Sequence, residues 1–153
     1  MQHWSREGVR QERTGWRDER ISARHRDWGF NCPAVDLDFL MVEYNLGKPV
    51  ALVEYKHHQA MMPNVKHPTY RALIDLADGY RDDPLLALIS FYWPEVWAFK
   101  VFPINGVAKE WFADGEGVSE YDYVTRLYRM RRFKLAKELE GKLRTELPPL
   151  VAA

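Results

Sequence analysis

Apolar and polar residues change their period several times along the chain, and each change marks an element. Residues 16–27 hold neither glycine nor proline and carry Arg17, Arg20, Arg24 and Arg26, which predicts a basic helix stopped near Gly29. From Ala34 to Tyr44 the period falls to two. Val35, Leu37, Phe39 and Met41 share one face, and Asp36, Asp38, Leu40 and Val42 the other. The turn Asn45-Leu46-Gly47-Lys48 leads into a second strand, Pro49 to Lys56, so this region reads as a β-hairpin. Met61-Met62-Pro63-Asn64 is a loop, and Pro68 suits the first position of a helix. Tyr70, Leu73, Ile74, Ala77 and Tyr80 then fall on one helical stripe.

Asp82-Asp83-Pro84 breaks the chain before a nearly unbroken apolar run, Leu85 to Tyr92, which predicts a central strand buried on both faces. Trp97 to Phe102 reads as a further strand ended by Asn105-Gly106. Ser119 and Asp122 have the spacing of a capping box and predict one long helix over 119–143. Its apolar stripe is Val124, Leu127, Tyr128, Leu135 and Leu139, and its exposed side carries Arg126, Arg129, Arg132 and Lys137. The element order predicts an α/β fold, a mixed β-sheet flanked by helices. The expectation is a single domain over residues 1–153, with residues 1–15 as a basic arm and 119–143 as a basic C-terminal helix.

Composition narrows the class. The 153 residues are 46% hydrophobic and 14% aromatic, enough apolar mass for one core. No apolar run approaches the roughly 20 residues that span a bilayer. The first 26 residues carry seven arginines and no apolar stretch of the kind a secretory leader has. The expectation is therefore a soluble, intracellular, cytoplasmic protein with no membrane partner. The one cysteine, Cys32, leaves no disulfide framework and no cysteine-rich zinc site. No glycine-rich phosphate cradle of the GxxxxGK[ST] or GxGxxG type occurs. The net charge of zero divides unevenly. Residues 1–26 hold seven arginines against four acids, residues 27–122 seven bases against fifteen acids, and residues 123–153 eight bases against three. Basic ends around an acidic middle suit a protein that grips a polyanion and brings carboxylates to one point on it.

The hairpin holds the candidate chemistry. Asp36 and Asp38 project from one face of its first strand, and Glu54 and Lys56 from one face of its second. Side chains on one face of paired strands come within about 5–8 Å of each other. Carboxylates set among Val, Leu and Phe are costly unless something compensates them. A hard divalent cation does so, because it prefers carboxylate and carbonyl oxygens and keeps several waters. Strand register decides whether Asp36 or Asp38 is the principal ligand. Glu140-Gly141-Lys142 repeats the Glu-x-Lys string on a helix end without any strand context. His57, His58 and His67 have no zinc-type spacing and no cysteine partner, and His57 and Gln59 read as a solvated strand end, with a phosphate contact by either as the alternative.

Asp36 followed by Glu54-Tyr55-Lys56, with Pro33-Ala34-Val35 ahead of the aspartate, resembles the PD-(D/E)xK nuclease superfamily, and most closely its archaeal-type Holliday junction resolvases. The resemblance covers roughly residues 18–104. It takes in Glu19-Arg20 on the preceding helix and the later strands Pro84-Leu85-Leu86-Ala87 and Trp97-Ala98-Phe99-Lys100-Val101-Phe102-Pro103. It implies a restriction-endonuclease-like core, a homodimer, four-way DNA junctions as substrate, and Mg²⁺ as cofactor, with Mn²⁺ able to substitute. By the same resemblance Asp36, Glu54 and the Tyr55 carbonyl are metal ligands, with Asp38 an additional acid beside them. Lys56 positions or activates the attacking water. Glu19 completes a second metal site or orients water, and Arg20 touches phosphate. The family's arginine just before the first acidic strand has no counterpart in residues 29–35, and Arg24 or Arg26 substitutes for it from the helix. Arg129 and Arg132 are the candidate phosphate contacts of the C-terminal helix. Related nucleases acting on duplex DNA or DNA ends, and a non-catalytic DNA-binding module of the same fold, are the alternatives.

Overall fold

The computed structural model describes residues 19–29, 37–43, 46–81, 83–130, 132, 134 and 137–144. The arm 1–15, the first turn of the predicted basic helix, residues 34–36 with Asp36, and Leu135 lie outside the described residues. The chain divides at Leu37 into two compact units, taken separately below. In the first, helix α1 (Glu19–Asp27) ends where expected, and Gly29 has the left-handed φ of 71° that glycine adopts without strain.

The second unit is built on a five-stranded sheet in the order β1-β2-β3-β4-β5. The strands are β1 (Phe39–Glu43), β2 (Lys48–His57), β3 (Leu86–Trp93), β4 (Ala98–Pro103) and β5 (Glu116–Val118). Every neighbouring pair is antiparallel except β2 and β3, which run parallel and are joined through helix α2 (Pro68–Asp78). A parallel pair needs such a crossover, because a tight turn can only reverse the chain. Pro68 opens α2, and the His67 side chain caps it by accepting from the Thr69 N–H at 3.2 Å.

Helices cover both faces of the sheet, and the core divides accordingly. On one face Ala51, Val53, Leu88, Phe99 and Val101 pack with Tyr123 of helix α3 (Glu120–Met130). On the other, Leu52, Ala87, Ile89 and Phe91 pack with Tyr70, Leu73 and Ala77 of α2. β3 is therefore buried along Leu86–Phe91, as its unbroken apolar run predicts. Asn105 joins these layers. Its side-chain carbonyl accepts from the N–H groups of Ala87 (3.0 Å) and Ala108 (3.3 Å). Its amide donates to the Leu85 carbonyl (2.7 Å) and to Asp78 at the end of α2 (2.9 Å).

Two expectations are corrected. Among the described residues β1 begins at Phe39, with Leu37 and Asp38 ahead of it. Opposite them the Tyr55 N–H is taken by the Asp38 side chain at 3.1 Å, which replaces a ladder bond. The predicted helix 119–143 is two helices, α3 and α4 (Lys137–Arg144). Arg132 adopts φ 61°, and its N–H donates to the Arg129 carbonyl at 2.8 Å, so α3 closes in a left-handed turn without a glycine. The opening of α3 is as read: the Ser119 hydroxyl accepts from the Asp122 N–H at 3.2 Å.

Candidate metal and phosphate site

The hairpin register decides which side chains meet. Phe39 pairs with Val53 and Leu40 with Leu52. Side chains alternate along a strand, so Leu40, Leu52, Glu54 and Lys56 share the face covered by α2, and Asp38, just ahead of β1, lines the same cavity as Leu52 and Glu54. A β-bulge lies between Met41 and Val42, where Met41 pairs with Ala51 but Val42 with Pro49, downstream of these positions. The hairpin thus delivers Asp38 and Glu54 to one side of the sheet.

A third residue joins them from α2. The Tyr70 hydroxyl donates to Glu54 Oε1 at 3.1 Å, and Lys56 Nζ lies 3.2 Å from the same oxygen. Asp38, Glu54 and Tyr70 line one cavity of about 20 Å³, walled by Leu37, Leu52 and Leu73. That is room for roughly one water-sized sphere. Sequence reading places Tyr70 in the apolar stripe of α2, and its ring is indeed buried there. Its hydroxyl goes unforeseen because Glu54 is sixteen residues away on another element, and no spacing rule links them.

The electrostatics assign Lys56 a charge state. Burial draws its pKa down, but the Glu54 carboxylate and the Tyr70 hydroxyl outweigh that, and the net shift is upward. Lys56 is accordingly an ammonium at neutral pH, a point charge with three donors and no proton-accepting capacity. Tyr70 is also raised, by burial first and by the neighbouring Glu54 carboxylate second, so it remains a hydroxyl donor.

Tyr55 contributes its main chain to one side and its ring to the other. In a strand the N–H and C=O of one residue leave by the same edge, so the carbonyl faces the β1 edge where Asp38 holds the N–H. The ring lies against Phe39, Phe99 and Tyr123. Its hydroxyl meets Tyr123 Oη at 2.9 Å, and Tyr123 in turn meets Ser90 Oγ at 3.0 Å. Burial raises the pKa of Tyr55, against the opposing Tyr123 hydrogen bond, and raises that of Tyr123 further. These hydroxyls form a neutral buried chain that holds β2, β3 and α3 in place beneath the hairpin.

The donor set suits a hard cation. Two carboxylates line one cavity beside the Tyr55 main chain, and oxygen donors of this kind are what Mg²⁺ and Mn²⁺ take. Tyr70 and Lys56 both engage Glu54 Oε1, and Tyr55 engages one oxygen of Asp38, so each carboxylate has a second oxygen to offer.

Asp36 is outside the described residues. Glu19 opens α1, and Arg20, Arg24 and Arg26 are exposed on that helix, in the unit that ends before Leu37. Arg129 and Arg132 are exposed and line a cleft of about 400 Å³ with Lys48, Glu43 and Trp111. That cleft borders the first residues of β2. Lys48 and Glu54 are six residues apart, about 20 Å at 3.3 Å per strand residue. Arg126, grouped with them by sequence, is turned inward. Its guanidinium makes two bonds to Glu116, at 2.6 and 2.9 Å, and one to the Trp111 carbonyl at 3.0 Å. Among the described residues no helix is long and apolar enough to cross a membrane. No family model, curated protein or solved structure matches this chain.

Proposed function

We propose that this chain is a metal-dependent DNA endonuclease with a restriction-endonuclease-like core, acting as a homodimer on four-way junctions. The observation that carries the reading is the convergence of Asp38, just ahead of β1, and Glu54, from β2, on one small cavity beside Lys56. Residue types and strand context there match the PD-(D/E)xK pattern, and Asp38 is the described acid that meets Glu54. A bound Mg²⁺ would supply charge neutralisation at the phosphoryl oxygens and a more acidic water. Asp38, Glu54 and the Tyr55 carbonyl are the groups to hold it. Lys56 positions or activates the attacking water beside the scissile phosphate. Tyr70 fixes the Glu54 carboxylate through its hydroxyl.

The test is cleavage of labelled four-way junction, linear duplex and single strand, with Mg²⁺ and with EDTA. Paired symmetric nicks in the junction alone, abolished by EDTA and by Glu54→Gln, are expected. Cutting of duplex or ends would keep the nuclease and discard the junction. One observation favours a second reading, a DNA-binding module without cleavage: Tyr70 and Lys56 already satisfy Glu54 Oε1 within the protein. Tight junction binding with no cutting under any cation would select it.

A further inference from the structure

The parallel pairing of β2 with β3 sets their C-terminal ends side by side, with His57 opposite Tyr92. β2 leaves the sheet through His58, whose N–H donates to the Tyr92 carbonyl at 3.0 Å. β3 leaves through the turn Pro94–Trp97, where the Val96 N–H donates to the Trp93 carbonyl at 3.4 Å and Trp97 takes φ 46°. Glu95 sits at the tip of that turn. The two exits bring His57, His58 and Glu95 together: one ligating atom from each lies within 4.8 Å of the others.

Neighbouring residues in a regular strand point to opposite faces. Here the rings of His57 and His58 are 4.3 Å apart and tilted by only 34°, because the strand ends between them. Each ring is also held by an aromatic partner. His58 stacks on Trp93 at 5.1 Å and 13°, and His57 meets Tyr92 edge-on at 5.7 Å. Glu95 is exposed, and both histidines are partly accessible.

We propose that His57, His58 and Glu95 form a binding site for a borderline transition cation, Zn²⁺ or Co²⁺, distinct from the oxygen-donor seam at Glu54. Two imidazole nitrogens and a carboxylate oxygen are the donor set such ions favour, whereas Mg²⁺ favours oxygen alone. Donors about 2.0–2.1 Å from a tetrahedral Zn²⁺ are roughly 3.3 Å apart. Turns of these side chains, Glu95 exposed and both histidines partly accessible, bring the donors from within 4.8 Å to that distance. His57 Nδ1 accepts from the Gln59 N–H at 3.3 Å, a long bond that metal binding gives up. Nδ1 loses it directly if it takes the cation; if Nε2 takes the cation, the ring proton moves to Nδ1 and displaces it. Three protein ligands leave one position for water. The cation pins the end of β2, one residue beyond Lys56, to the β3–β4 turn.

The experiment titrates the full chain with ZnCl₂ and CoCl₂ in excess Mg²⁺, reading heat for zinc and visible absorption for cobalt. One cation per chain is expected, undisturbed by Mg²⁺, with a rise in melting temperature on adding Zn²⁺. His57→Ala, His58→Ala and Glu95→Gln should each weaken binding at least about tenfold. Glu54→Gln and His67→Ala should leave it unchanged. Glu95→Gln is an exposed turn substitution that does not threaten folding, so it decides the matter if a histidine variant fails to fold. Unchanged affinity in Glu95→Gln, loss in His67→Ala, or no binding at millimolar metal would each overturn the site.

Discussion

Replacing Asn105 with alanine should be among the most damaging single changes in this chain. The side chain is only 4% exposed and makes four hydrogen bonds at once. Truncation leaves the Ala87 N–H and the Leu85 carbonyl without these partners, in residues 1% and 5% exposed. Each stranded buried group costs about 1–3 kcal/mol, and losing the charge-assisted bond to Asp78 adds about 1 kcal/mol more. The total is roughly 3–7 kcal/mol, a large share of the 5–15 kcal/mol typical of a domain. At about 2–4 °C per kcal/mol for a chain of this size, the melting temperature should fall by roughly 6–28 °C. Urea unfolding followed by circular dichroism measures the first quantity and a thermal scan the second. Asn105→Asp sharpens the test. It keeps the acceptor that serves Ala87 but removes the donor and sets a second carboxylate against Asp78, so at neutral pH it should be at least as harmful as alanine. Acid should narrow that gap, since a protonated carboxyl donates again. A loss under about 1 kcal/mol for Asn105→Ala would show that water replaces these bonds and would refute the structural role given to Asn105.

Other outcomes follow from the same geometry. Tyr123→Phe removes the hydroxyl between Ser90 and Tyr55 and should cost about 1–3 kcal/mol in a urea titration. Burial holds Tyr123 well above its ordinary 10.0, so the protonated phenol stabilises the fold. That contribution is whole below about pH 10 and is lost as pH rises toward the folded value, so phenolate absorbance should show one tyrosine ionising only with unfolding. Arg126→Ala breaks the two-bond pair with Glu116 and exposes the Phe112 ring beneath the guanidinium, for about 1 kcal/mol. The Arg126 hydrogen bond lowers the Glu116 pKa below 4.5, so this contribution is present above that pH and lost as pH falls through the lowered value. The melting temperatures of wild type and variant should therefore converge in acid, and a gap that persists would point to packing instead.

What the sequence reveals and conceals divides by physical range. The hairpin, the α2 stripe and the buried β3 are legible because each rests on a period within one element, and periodicity survives any tertiary arrangement. Glu54 and Lys56 are visible as polar residues closing the apolar run Val50–Tyr55. Tyr70, Asn105 and Glu95 are not visible, because their roles depend on partners brought near by the β2–α2–β3 crossover. Tyr70 obeys the stripe it lies on, and Asn105 looks like half of an ordinary Asn-Gly turn. The break between α3 and α4 is hidden for another reason: residues 119–140 contain no glycine or proline, and the left-handed turn falls on an arginine. Arg126 counts as one more surface charge until Glu116, ten residues earlier, is found bound to it.

The parallel seam between β2 and β3 also governs how the chain reaches its native state. β1 with β2 and β3 with β4 are neighbours in sequence and can zip from their turns on the microsecond scale of hairpins. Ala51 and Leu86 are thirty-five residues apart, and their pairing must close that whole loop before any contact rewards it. Contact order therefore predicts that joining the β1–β2 and β3–β4 pairs, with α2 between them, is the slow step of folding. Glu54, Tyr70 and the paired ends at His57 and Tyr92 all lie on or beside this seam, so the candidate chemistry exists only once the seam has closed.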